Sequence, residues 1–301
     1  NAPIPGGGYV TGFAFHGKVP GILYARTDIG GVYRYLYAEK RWKSLIDHVT
    51  MMDIAESFPI AIALDNDKPE RLYIACGVNG EPNGKLCISD DYGESFTYTR
   101  IPTMVHGNLS GRGTGMRLVV DQTGGLLRSR DAGVSWEKLP LPENYTTFVW
   151  VSADGRTIVA GTAGLTTRRD EKHRGHSMYV SYDAGETFDK LAEPESYEIA
   201  DCKMNGMVAS RYDYDGKYLY VTMNSTGRFN YIVDMGYSCD TGDVIGGRVL
   251  RYFFRDGRIA GYDDITPMGA SGYLDYGFGG ISSCSVEPGL LACSTLCREL
   301  K

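Results

Sequence analysis

One acidic residue of the chain lies where it could do chemistry. Asp28 stands between two strand-like runs, in the segment RTDIGGV (residues 26–32). The paired glycines leave room for a ligand to approach the backbone beside the carboxylate, and a carboxylate held on such a turn can act as a general base. Aspartate also closes turns by bonding to its own backbone, so a purely structural role for Asp28 is the alternative.

The other reactive residue types lack the spacing of a site. The five histidines form neither an HExxH motif nor a triad pattern. Cys293 and Cys297 have no second pair that would complete a zinc site, and Cys76, Cys87 and Cys293 lie in strand-like runs, where cysteine acts as a small hydrophobe. The glycines at 6–8 precede no helical pattern, which a phosphate loop requires. We therefore expect no metal and no cofactor.

Composition narrows the class of protein. The 301 residues carry 37 acidic and 31 basic side chains, a net charge of −6, which argues against nucleic-acid binding. The sequence has no apolar run long enough to span a bilayer, so we expect no membrane partner. It combines 39 glycines and 22 tyrosines with few helix-favouring runs. That combination predicts an all-β fold of short strands and tight turns.

A turn motif repeats along the chain. Residues 89–96, 129–136 and 181–188 share the pattern Ser-x-Asp-x-Gly-x-Ser/Thr-aromatic, which is the Asp-box. In this motif the aspartate accepts hydrogen bonds from the turn, the glycine supplies a positive φ, and the aromatic packs under the hairpin. The spacing of about 40 to 50 residues is that of a four-stranded propeller blade. We predict a single β-propeller over residues 1–301, with about six to seven blades and Asp-box repeats.

Blade geometry assigns Asp28 to one face of this propeller. The first blade is predicted to have strands at 10–16, 21–26, 32–36 and 41–45. In an up-and-down blade, the turn between strands two and three lies at the opposite end from the turn between strands three and four. The Asp-boxes are turns of the second kind, and Asp28 lies in a turn of the first kind. We therefore expect Asp28 on the face away from the boxes, among long loops of the type that carry function.

Five segments resemble a known enzyme family. They are GGYVTG (7–12), LYARTDIGGVYR (23–34), SGRGTGMRL (110–118), DITP (264–267) and YGFGGI (276–281). Their order and spacing resemble the N-terminal part of glycoside hydrolase family 74, which comprises xyloglucanases and related β-1,4-glucanases.

The resemblance implies a reaction and an arrangement. It implies a secreted enzyme of two propellers that hydrolyses a β-1,4-glucan such as xyloglucan, with inversion and one aspartate from each propeller. Asp28 matches the general base. The chain would be the N-terminal propeller, and the second propeller would supply the catalytic acid. Inversion needs the two carboxyl groups about 6.5–9.5 Å apart, because a water must fit between them.

Four residues of the predicted functional face are candidates for binding the polysaccharide. Sugar faces stack on aromatic rings and sugar hydroxyls bond to arginine, which selects Tyr9, Arg112, Tyr276 and Phe278. Aromatic residues in glycine-rich loops also pack against the body of a propeller, and this is the alternative for each ring.

The chain departs from the family in ways that leave other functions open. The family has a further strand between Asp121 and Gln122, so we expect that one blade lacks a strand or that the sequence omits residues at this point. An acidic residue is usual where Met116 stands. The alternative function is a non-catalytic propeller that binds carbohydrate or protein. A sialidase, suggested by Arg-Ile-Pro at 100–102, is the weaker rival.

Overall fold

The computed structural model describes most of the chain. The described residues are 10–28, 30–47, 58–65, 67–77, 84–101, 109–111, 117–121, 125–143, 146–162, 178–194, 198–199, 202–203, 207–225, 247–267 and 277–296. Within these ranges the secondary structure is all strand and turn, with no helix. The predicted all-β class is therefore confirmed.

The chain divides into two compact units, Asn1–Leu139 with Val151–Arg156, and Pro140–Trp150 with Thr157–Lys301. Three four-stranded antiparallel sheets lie in the first unit. Sheet 1 contains β1 (Val10–Phe15), β2 (Leu23–Thr27), β3 (Val32–Leu36) and β4 (Arg41–Ser44); sheet 2 contains β5 (Pro59–Leu64), β6 (Leu72–Cys76), β7 (Lys85–Ser89) and β8 (Thr97–Arg100); sheet 3 contains β9 (Leu109–Gly111), β10 (Arg117–Asp121), β11 (Gly125–Ser129) and β12 (Glu137–Lys138).

The remaining strands form two further four-stranded sheets and two strand pairs. Sheet 4 contains β13 (Thr146–Val151), β14 (Ile158–Thr162), β15 (Met178–Ser181) and β16 (Asp189–Lys190); sheet 5 contains β19 (Met207–Tyr214), β20 (Tyr218–Ser225), β21 (Arg248–Arg255) and β22 (Arg258–Asp264); the pairs are β17 (Glu198–Ile199) with β18 (Cys202–Lys203), and β23 (Gly277–Ser283) with β24 (Leu291–Leu296).

In every four-stranded sheet the strands follow one another in chain order, each antiparallel to the last. This up-and-down order is that of propeller blades. The middle strands read as almost continuous apolar runs, such as LYIAC in β6, because both of their faces are buried against neighbouring sheets. The four strands predicted for the first blade match β1 to β4.

The expected loss of a strand near Asp121 is not what the structure shows. β10 and β11 are joined directly, as the sequence suggested, yet sheet 3 has four strands. The fourth position is taken by the three-residue strand β9, whose Leu109–Gly111 backbone pairs with β10. A segment so short shows no alternation in the sequence, and for that reason it was not predicted.

The three turns with the repeated Ser-x-Asp-x-Gly pattern have the same structure. In the β7–β8 turn, the Ser89 hydroxyl accepts from the Gly93 amide at 2.7 Å, and Asp91 accepts from the Ser95 amide at 2.9 Å and from the Ser95 hydroxyl at 2.5 Å. The same bonds recur in the β11–β12 and β15–β16 turns. Tyr92 and Gly93 both have positive φ, 63° and 90°, whereas the sequence predicted this only for the glycine.

These turns also fix neighbouring sheets to one another. The Tyr24 hydroxyl of sheet 1 donates to the Tyr92 carbonyl of sheet 2 at 3.3 Å, and the Arg34 guanidinium lies 4.5 Å from the centre of the Tyr92 ring. A Cβ on Gly93 would come within 2.6 Å of Leu45, so the turn packs directly on sheet 1. Sheets 1 and 2 therefore share one hydrophobic core, which includes Tyr24, Leu45, Leu72 and Ile74.

Candidate functional site

Asp28 is exposed at one end of sheet 1. It is the first residue of the turn that joins β2 to β3. Because the four strands of the sheet alternate in direction, this turn lies at the opposite end from the β3–β4 turn. Both the predicted turn and its predicted end of the blade are confirmed for sheet 1.

The two residues that hold this turn are buried. The Thr27 amide donates to the Gly31 carbonyl at 3.0 Å, and the Thr27 hydroxyl accepts from the Gly30 amide at 2.8 Å. The Tyr33 hydroxyl donates to the Gly30 carbonyl at 2.8 Å. Thr27 and Tyr33 are almost fully buried, so the turn that carries Asp28 is anchored in the core.

Gly31 allows this turn to lie close to the end of β4. Its φ is +100°, in the region that favours glycine, and a Cβ at this position would come within 2.6 Å of Ile46 Cγ1. Ile46 is itself buried. The second glycine of the RTDIGGV segment is therefore required by backbone conformation and by packing, in addition to the room it leaves beside Asp28.

The protonation of the supporting tyrosine is also set by the structure. Burial raises the pKa of Tyr33, and the nearby Asp47 carboxylate raises it further. The phenol therefore stays protonated at neutral pH and keeps its hydrogen bond to Gly30. Asp47 follows β4 and is exposed, so a second carboxylate lies at the same end of sheet 1 as Asp28.

Sequence reasoning missed Thr27, Tyr33 and Asp47. A threonine directly before the aspartate of a glycine-rich turn is a signal for a side-chain-to-backbone brace. Tyr33 carried no such signal, because its reach to Gly30 depends on the register of β2 with β3.

The structure describes one of the four predicted sugar-binding residues. Phe278 lies in β23 and is 2% exposed, so its ring packs in the interior, which was the alternative to stacking on sugar. Tyr9, Arg112 and Tyr276 lie outside the described residues. The stacking and hydrogen-bonding roles of those three stay predictions.

Within the described ranges, no three His, Cys, Asp or Glu side chains come together as metal ligands would. The same ranges contain no helix with the length and hydropathy needed to cross a bilayer. Cys76 and Cys87 are buried between sheets 1 and 2, with their sulfurs 3.8 Å apart, too far for a disulfide bond.

The successive up-and-down sheets and the exposed carboxylate on a β2–β3 turn define a β-propeller protein with a candidate acid–base residue. No family model matches the chain. It is 31% identical to a xyloglucanase of Hypocrea jecorina over 97% of this chain and 36% of that protein. It is 30% identical to a xyloglucanase of a Paenibacillus species over 97% of this chain and 29% of that protein.

A solved structure agrees with these relatives. The fold matches the crystal structure of the family 74 xyloglucanase of Xanthomonas campestris with a TM-score of 0.73 and 24% identity, over 98% of this chain and 43% of that one. Together these similarities support a propeller of the glycoside hydrolase family 74 xyloglucanase type. The chain spans about a third of the length of the sequence relatives it matches.

Proposed function

We propose that the chain is one domain of a glycoside hydrolase that cleaves the β-1,4-glucan backbone of xyloglucan with inversion. Asp28 is the general base and activates the attacking water. The observation that carries this proposal is the exposed carboxylate on a turn whose neighbours Thr27 and Tyr33 are locked into the core. The similarity to xyloglucanases over 97% of the chain supports the choice of substrate.

The turn suits the task of a general base. A water-activating carboxylate must be held in place, because proton transfer depends on distances near those of a hydrogen bond. It must also be open to a polymer that cannot enter a closed pocket. Asp28 meets both needs, since the backbone on each side of it is hydrogen-bonded and its side chain is exposed.

The other roles are assigned to further residues of the chain and to a second domain. Tyr9, Arg112 and Tyr276 bind the glucan, and a second propeller supplies the catalytic acid that protonates the leaving oxygen. The three Ser-x-Asp-x-Gly turns are Asp-box repeats of a propeller with about six to seven blades, the N-terminal one of two. A polysaccharide substrate and the likeness to xyloglucanases favour a secreted protein.

The stereochemistry of the first product tests this function. Xyloglucan is incubated with the product of the complete gene, and the anomeric protons are followed by NMR from the first minutes. Inversion at a β-linkage gives the α-anomer first, which then mutarotates. A β-anomer as first product would rule out the inverting mechanism. Absence of any hydrolysis would favour the non-catalytic, glucan-binding alternative.

A further inference from the structure

An arginine lies on the strand that leads into the Asp28 turn. Arg26 is half-buried on β2, and its Cα lies at most about 7 Å from that of Asp28, because a strand rises about 3.3–3.4 Å per residue. Tyr24, two residues earlier, belongs to the core between sheets 1 and 2. Alternate residues of a strand share a face, so this face of β2 changes from aromatic to cationic just before the candidate general base.

The neighbouring strand β1 holds the Arg26 side chain in place. The Arg26 Nη1 group donates to the Thr11 hydroxyl at 2.8 Å. Gly12 pairs with Arg26 in the register of β1 with β2, and a Cβ added at Gly12 would lie 3.1 Å from Arg26 Nε and 3.5 Å from Arg26 Cζ. The guanidinium therefore rests against the backbone of Gly12, and a larger residue at this position would press on it.

A β-bulge brings the threonine to this arginine. The register shifts between Val10 and Gly12, so β1 has one extra residue, Thr11, opposite the end of β2. Thr11 is exposed, whereas Val10 and Gly12 are half-buried. Bulges redirect side chains and are common next to active sites. Here the bulge sets a hydroxyl against the guanidinium at the end of sheet 1 that carries Asp28.

The chemistry of this arrangement suits the hydroxyl groups of a sugar. A guanidinium carries five N–H donors in one plane, more than a single threonine hydroxyl can accept, and it stays charged. Hydrogen bonds from a charged donor are stronger than neutral ones. A long side chain that is already held in place also loses less entropy when a ligand binds. The alternative is a structural role, in which Arg26 only ties β1 to β2.

We propose that Arg26 binds the glucosyl unit on which Asp28 acts, by donating hydrogen bonds from its guanidinium to hydroxyls of that unit. In glycoside hydrolysis, hydrogen bonds to the hydroxyl beside the anomeric carbon strengthen in the transition state. Arg26 is thus a substrate-binding residue that contributes both to affinity and to rate. The inference rests on the proposed function, because it takes xyloglucan as the substrate and Asp28 as the general base.

Affinity measured without turnover tests this assignment. The product of the complete gene with Asp28→Asn is the background, and calorimetric titration with a xyloglucan oligosaccharide gives the Kd with and without Arg26→Met. We expect Arg26→Met to raise the Kd about tenfold or more, because charge-assisted hydrogen bonds are lost, and Arg26→Lys to recover part of the affinity. The matched control is Arg41→Met, at an exposed position at the other end of sheet 1, which should leave the Kd unchanged.

Kinetics and a second variant separate binding from a structural role. With Asp28 in place, Arg26→Met should lower kcat/KM about tenfold or more at a Tm close to that of Arg41→Met. Thr11→Val removes only the bond that holds the guanidinium and should raise the Kd by less. A Kd for Arg26→Met within about twofold of its background, or a rise that Arg41→Met shares, would overturn the assignment of Arg26 alone. Failure of the oligosaccharide to bind even when Arg26 and Asp28 are intact would overturn the proposed function as well.

Discussion

Aspartates in the turns of this chain are held in two ways. Asp91, Asp131 and Asp183 each accept hydrogen bonds from a hydroxyl and an amide four residues later, and these bonds hold their pKa values at about 2. In the turn that carries Asp28, Thr27 bonds to the Gly30 amide. The three repeated turns are thus braced by the aspartate side chain itself, and the turn of Asp28 by the threonine before it.

The low pKa values predict a loss of stability in acid. An ordinary aspartate titrates near 3.8, so carboxylates with a folded pKa of about 2 stabilise the fold above about pH 4 and lose this contribution as pH falls through about 2. Asp183→Asn should therefore lower Tm at about pH 6, with a difference from wild type that shrinks towards about pH 2. Thermal unfolding across this range measures it.

The matched control is Asp256→Asn, at an exposed turn position between β21 and β22. Asp256 has a φ of 49°, which asparagine tolerates, so this variant should change Tm little at either pH. A Tm difference for Asp183→Asn that stays constant down to about pH 2 would show that its carboxylate contributes no pH-dependent stability.

The second carboxylate near the candidate site gives another test. Asp47 lies at the same end of sheet 1 as Asp28, but we propose that the catalytic acid lies in another domain. Asp47→Asn in the complete product should keep most of the xyloglucan hydrolysis, measured as released reducing ends. A fall in the rate of hydrolysis as large as removal of a general acid causes, about 10²-fold or more, would show that the acid is in this chain instead.

At the scale of elements, the turns decide where side chains are presented. The β2–β3 turn depends on Gly31, because a Cβ added at this position would collide with Ile46. Gly216 is a matched control, since it has nearly the same φ, +97°, but open space around it. Gly31→Ala should therefore lower both Tm and xyloglucan hydrolysis more than Gly216→Ala. Both substitutions put alanine at a positive φ, but only the one at Gly31 also brings a methyl group against Ile46. Equal Tm losses would mean that Ile46 moves aside at little cost.

Another element junction, between sheet 5 and the β23–β24 pair, depends on a buried aspartate. Asp215, 1% exposed, accepts from the amides of Lys217, Tyr218 and Gly289 and from the Tyr220 hydroxyl. Burial alone would raise its pKa, but these donors together hold it below the ordinary value.

Asp215→Ala leaves several hydrogen-bond donors at this junction without their acceptor and should lower the free energy of unfolding by about 3 kcal/mol. Asp256→Ala, in an exposed turn, should cost much less, and denaturant unfolding of the two variants compares them. A similar small loss in both would show that the junction does not depend on the carboxylate.

Elements that local sequence patterns determine could be predicted, and those that depend on contacts between distant parts of the chain could not. The strands of sheet 1 and the position of Asp28 were predictable, because alternation and turn residues are local. The strand β9 was not, because three residues show no period. The burial of Phe278 was not predicted either, because it depends on packing against other strands. The positive φ of Tyr92 recurs at Ala132 and Ala184 and so belongs to the repeated turn, but the residue types at this position do not signal it.

For the whole molecule, net charge determines how readily copies of the chain associate with one another. The sequence pI is about 5.5 and the net charge at neutral pH is −6. Repulsion between copies is therefore weakest near pH 5.5, where exposed apolar groups such as Phe13 and Phe15 associate most readily. Light scattering of the 301-residue chain should rise towards this pH and fall again on either side; a flat profile would contradict the expectation.

The proposed role of the Asp28 carboxylate, activation of water in xyloglucan hydrolysis, is tested by replacing this carboxylate with an amide. The turnover of xyloglucan by Asp28→Asn in the complete product is compared with that of wild type and of Asp256→Asn. Tm is measured for all three proteins to check that they are equally stable. Loss of a general base predicts a fall in kcat of about 10²–10⁴-fold for Asp28→Asn and none for Asp256→Asn. A folded Asp28→Asn enzyme that turns over xyloglucan within a few-fold of wild type would show that Asp28 is not the general base.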